Sequence, residues 1–151
     1  MPDQEQTEQP PPDYREFGEP LSEYIRRIET VEKDADLSAG LITSHDLRVP
    51  SLTRGPVKKM PIAWRLYEYS MFYIIKTDAK TLVEKHSHNE DVFRLVMEGS
   101  LRVSTADREA EFKAGDWFVI RSGQAYEIWT EEGYVAMCGY RIACLQPHPG
   151  P

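Results

Sequence analysis

From Ala63 to Leu145 the chain is dense in β-forming residues and is broken by turn signals every few positions, which limits what it can fold into. Strand-like runs are read at about 64–68, 70–77, 81–88, 92–97, 100–105, 109–113, 116–120, 125–130 and 134–144. Between them fall Thr77-Asp78, Asn89-Glu90, Glu98-Gly99, Ala106-Asp107, Ala114-Gly115, Ser122-Gly123 and Glu132-Gly133. No helix-length pattern interrupts the series. Many short strands at close spacing predict an all-β sandwich or small barrel.

The region before residue 63 reads differently. Residues 1–19 hold Pro2, Pro10, Pro11 and Pro12 among acids and glutamines, and are expected to be a disordered tail, because so few apolar groups cannot offset the entropy of ordering. Leu21, Tyr24, Ile25, Ile28 and Val31 then follow Pro20 at helical spacing, which predicts an amphipathic helix over about 20–33, with Glu23, Arg26, Arg27, Glu29 and Glu32 on its polar face. The segment 41–61 reads as an extended lead-in with one or two edge strands, and His45 and Asp46 in it as solvated loop residues. The expected organisation is thus a tail (1–19), a helix and lead-in (20–62) and a barrel (63–146).

With 151 residues, one domain is expected. The formal net charge of −7 argues against nucleic-acid binding, and Arg54, Lys58 and Lys59 form the only short basic stretch. No apolar run approaches the roughly 20 residues that span a bilayer. The opening Met-Pro-Asp-Gln-Glu lacks the features of a signal peptide, so a cytoplasmic setting is expected. Cys138 and Cys144 fall in one predicted strand with their Cα atoms roughly 20 Å apart, too far for a disulfide, and read as small buried groups.

The chemistry is expected at His86-Ser87-His88. Two imidazoles at i and i+2 on a strand face the same way and, inside a barrel, can converge on one metal ion. Glu84 shares their alternation face.

These residues resemble the cupins, the small double-stranded β-helix or jelly-roll barrels. His86 and His88 match the paired histidines of the first cupin motif, and Val96-Met97-Glu98-Gly99 its closing turn. Gly115-Asp116 and Gly123 match the glycines of the second. The likeness covers about residues 70–143. It departs where the family's glutamate ligand falls on Val92, its second-motif histidine on Tyr126, and its proline on Arg121. The resemblance therefore implies a site of His86, His88 and Tyr126, as metal ligands for Fe, Mn, Ni or Zn or as acid and base. Tyr126 as phenolate, Glu90, Asp91 or Glu84 would be the third donor. If the family's glutamate position faces inward, so does Arg94, whose guanidinium suits the carboxylate of a small anionic ligand; the alternative is a structural pair with Glu84 or another internal acid. The aromatic residues, Trp64, Tyr67, Tyr69, Phe72, Tyr73, Phe93, Trp117, Phe118 and Trp129, are expected mostly in the core. The expected function is that of a metal-dependent enzyme acting on a small organic acid by oxygenase, isomerase or lyase chemistry; the alternatives are a metal-free acid/base enzyme and a noncatalytic ligand-binding or sensor cup. By the same resemblance the assembly is expected to be a homodimer.

Overall fold

A computed structural model of the chain describes residues 19–141. The expected tail, apart from Glu19, and Cys144 lie outside the described residues. The helix forms as α1, Leu21–Lys33, with the Pro20 carbonyl accepting from the backbone N–H groups of Glu23 and Tyr24. Ile28 is buried on its apolar face. Glu32 departs from the expected polar face: it is buried and gripped side-on by Nε and Nη2 of Arg65, the Nε contact being 2.8 Å. A bidentate guanidinium lets a carboxylate leave water without standing unpaired.

The lead-in holds β1 (Leu41–Thr43) and a hairpin of β2 (Leu52–Arg54) and β3 (Val57–Lys59), which carries the short basic stretch. The strand expected at 64–68 is instead a 3-10 turn at Leu66–Glu68. Trp64 and Tyr69 are both buried at the ends of this turn, and Trp64 Nε1 donates to the Tyr69 hydroxyl at 2.7 Å, a contact between neighbouring side chains that an extended strand would separate.

The barrel follows as β4 (Ser70–Thr77), β5 (Thr81–His86), β6 (Asp91–Ser104), β7 (Glu109–Lys113), β8 (Trp117–Ile120), β9 (Tyr126–Thr130) and β10 (Tyr134–Arg141). All pairings are antiparallel, in the order β1-β8-β6-β10-β4 on one side and β5-β9-β6-β7 on the other, with β6 shared. The turn expected at Glu98-Gly99 is a bulge inside this one strand. Gly99 has φ +77°, and the register against β10 shifts at Val135/Ala136, so β6 bends from one sheet into the other. A Cβ at Gly99 would lie 2.0 Å from the Gly133 carbonyl oxygen.

Two cores flank the first sheet. Inside the barrel, Val96, Leu101, Val103, Phe112, Phe118, Ile120, Ile128 and Tyr134 pack together. On the outer face, Phe93, Trp117 and Val119 pack against Ile42 and Leu47 of the lead-in and against Ala63, Trp64 and Tyr69 after it. β8 is therefore buried at every position, as a strand covered on both faces should be. Arg121, at the motif's proline position, ties these layers: its Nη1 donates to the Leu37 carbonyl at 2.7 Å, its Nε lies 3.3 Å from Asp91, and its guanidinium covers the Trp64 ring. β4 is the open edge. Met71, Phe72, Tyr73 and Ile74 are 49–64% exposed, and Tyr67 is exposed as well, where the aromatic residues were expected mostly in the core.

Candidate functional site

His86, His88, Arg94 and Tyr126 come together among β5, β6 and β9, with Tyr126 fully buried and Arg94 nearly so. His86 ends β5 opposite Tyr126 at the start of β9, and His88 follows just beyond the strand. One extra residue in β5 shifts its register between Val83 and His86, so Val83 and His86 share the inward face while Glu84 is exposed. Simple alternation had placed Glu84 beside the histidines, and the bulge overturns it. The ring centroids of His86 and His88 lie 5.0 Å apart, and those of His86 and Tyr126 4.6 Å. His88 Nε2 and the Tyr126 hydroxyl share a hydrogen bond of 2.9 Å. His86 Nδ1–H donates to the Glu84 carbonyl at 2.7 Å, which leaves Nε2 as the ring's second nitrogen.

Arg94 faces this group from β6, between Cys138 of β10 and Phe118 of β8 in the ladder. It is only 7% exposed. Its Nη2 donates to the Tyr126 hydroxyl at a long 3.4 Å, its Cζ stands 5.9 Å from that ring's centroid, and its Nε has no hydrogen-bond partner among the described residues. Arg65 uses the same Nε–Nη2 edge to hold Glu32; on Arg94 that edge meets no carboxylate among the described residues. The structural pairing with Glu84 is not made, since Glu84 is exposed on the far side of the β5 bulge. Asp91 is likewise committed elsewhere: it accepts the Ser122 N–H at 2.8 Å and pairs with Arg121.

Burial raises the pKa of Tyr126, with the Arg94 charge acting against it. Tyr140, a neighbour whose ring lies 6.1 Å from His88, is pushed up to about 12 by burial and then by Cys138 beside it. Both are neutral phenols at neutral pH. Cys138 is buried, as expected, but neither it nor Tyr140 was expected at the site, although alternation along β10 (Tyr134, Ala136, Cys138, Tyr140) puts them on one face with the partners of Arg94.

These donors do not meet the usual requirement of a metal centre. Among the described residues no three His, Cys, Asp or Glu side chains are grouped so that they could hold an ion. Val92, an apolar residue, is fully buried at the carboxylate position. A cavity of about 500 Å³ lies outside the barrel, between the lead-in and the outer face of the first sheet, lined by Leu47, Met60, Ile62, Leu95 and Trp117 with His45 and Asp116. His45 and Asp46 are exposed loop residues, as expected; His45 Nε2 lies 3.4 Å from Asp116, and Arg108 holds Asp46.

The family model of the AraC-like ligand binding domain matches residues 68–150, more than half of the chain. The chain belongs to that family. The barrel of this AraC-like domain is the double-stranded β-helix of the cupins. No curated protein matches it. Among solved structures it is similar to a conserved protein of unknown function from Streptococcus pyogenes, with 13% identity over 46% of this chain and 61% of that one and a TM-score of 0.44. It is similar also to a cupin-2 domain containing protein from Shewanella frigidimarina, with 23% identity over 54% and 78% of the two chains and a TM-score of 0.45. A third is the oxalate decarboxylase of Bacillus subtilis with its Mn(II) centres, at 21% identity over 50% of this chain and 22% of that one and a TM-score of 0.45. The AraC-like domain spans less than two thirds of the length of the S. pyogenes and B. subtilis chains. No helix among its described residues is long and apolar enough to cross a membrane.

Proposed function

We propose that the protein is a noncatalytic binding cup for a small organic anion, held by Arg94 with Tyr126 and His88 beside it. One observation carries this reading: a guanidinium 7% exposed, with its Nε unpartnered and no acid facing it among the described residues. A buried charge in that condition costs several kcal/mol. A ligand carboxylate brought against the guanidinium would supply the missing opposite charge, as Glu32 does for Arg65. Tyr126 and His88 add hydroxyl and imidazole groups that orient the anion, and the family's name is consistent with a binding role.

The test is calorimetry and thermal denaturation of ligand-free protein against a panel of organic acids. At a hundredfold excess over Kd a true ligand stabilises by about 2.7 kcal/mol. That gain is expected to vanish in Arg94→Met. If no anion of any class raises the melting temperature, the binding reading fails. The convergence of His86 and His88 favours a second reading, a metal-dependent enzyme acting on a small organic acid. Elemental analysis of protein purified without chelators, showing one Fe, Mn, Ni or Zn per chain that is lost in His86→Ala, would establish it in place of the first.

A further inference from the structure

We infer that the ligand is an aromatic monocarboxylate, its carboxylate on the Arg94 guanidinium and its ring against the aromatic residues around it. The inference rests on the anion-binding reading and adds the chemical class.

The aromatic residues form a chain of rings in mutual contact range. Tyr73 on β4 meets Tyr140 on β10 at 6.0 Å between centroids, edge to face. Tyr140 meets His88 at 6.1 Å in the same manner. His88 lies 5.8 Å from Tyr126, and Tyr126 lies 4.6 Å from His86. The first two contacts are edge to face and the two with Tyr126 are tilted, and a ligand ring would join the chain by the same kinds of contact. Tyr73 is half exposed, so the outer end of the row stands uncovered at the open edge of the sheet.

Charge narrows the class further. One guanidinium faces these rings, and the hydrogen-bonding groups beside it are phenols, imidazoles and the Cys138 thiol. One cation matches one carboxylate. A phosphate dianion would bring a second negative charge into a site with one resident cation, in a chain of net charge −7. A polyol would find phenols and imidazoles where a sugar site needs carboxylates and amides to saturate its hydroxyls.

The experiment uses the full chain, freed of ligand, and isothermal titration with benzoate, acetate, benzamide and inorganic phosphate. Benzoate is expected to bind roughly tenfold more tightly than acetate, the difference made by ring contacts. Benzamide and phosphate are expected to bind more weakly than benzoate. Tyr140→Leu should lower benzoate affinity several-fold and leave acetate unchanged, a contrast that a folding defect cannot produce. Equal affinity for benzoate and acetate, or tighter phosphate than benzoate, overturns the aromatic class while leaving the anion site standing. Failure of all four probes to bind overturns both.

Discussion

An arginine held ready for an absent partner should be a burden on the empty protein, and Arg94→Met measures that burden. Methionine keeps most of the side chain's length and flexibility and removes the charge. Replacing a buried ionic group with an apolar one of similar size commonly stabilises by about 1–4 kcal/mol. Against this stands the loss of the 3.4 Å contact from Nη2 to the Tyr126 hydroxyl, which keeps its His88 partner in the variant, and of the Cys138 contact, together worth about 1 kcal/mol. The net expectation is a gain of about 1–2 kcal/mol, or roughly 3–8 °C in melting temperature for a domain of this size. Calorimetry on both proteins, refolded from denaturant and dialysed to strip ligand, reads it directly. A ligand-free Arg94→Met that melts below the wild type would refute the reasoning, because the guanidinium would then be satisfied by groups the protein already supplies.

Gly99→Ala should cost about 3 kcal/mol or more, since the residue has φ +77° and its new methyl would meet the Gly133 carbonyl; chemical denaturation near the wild-type midpoint would contradict this. Tyr69 has its pKa raised from 10.0 to about 12, chiefly by burial, so the fold favours its neutral form. That contribution is complete below pH 10 and is lost as pH climbs towards 12, amounting to about 3 kcal/mol. Tyr69→Phe should lose the Trp64 hydrogen bond at neutral pH yet show a shallower alkaline decline, and parallel pH–stability curves would count against it. The exposed edge of β4 is expected to pair antiparallel with β4 of a second copy, an arrangement that is self-complementary about a twofold axis. Light scattering should give a dimer that Ile74→Lys dissociates, and a wild-type monomer at all concentrations would dismiss it.

Strand existence was legible where local pattern and tertiary context agree. β4 and β7 stand where the alternation put them, at 70–77 and 109–113. The misreadings share one cause, a register decided by a distant strand. Gly99 looks like a turn in isolation and is a bulge because Gly133 and Tyr134 press against it. Glu84 looks inward until the extra residue of β5, visible only in pairing with β9, turns it out. Glu32 looks solvated because Arg65, its partner, lies 33 positions away in the sequence. The paired histidines and the tyrosine stood out through a motif. Tyr140 and Cys138 carry no motif, and became part of the site only when β10 was laid beside β6.

The second hydrophobic layer has a practical bearing on where this protein can be cut. The stretch carrying the family likeness begins at residue 68, yet Ile42, Leu47, Ala63 and Trp64 all precede it and roof the outer surface of Phe93, Trp117 and Val119. A fragment trimmed to the recognisable portion would bare a tryptophan and a phenylalanine to water and lose β1 from the margin of its sheet. The unit that folds is longer than the unit that is recognised.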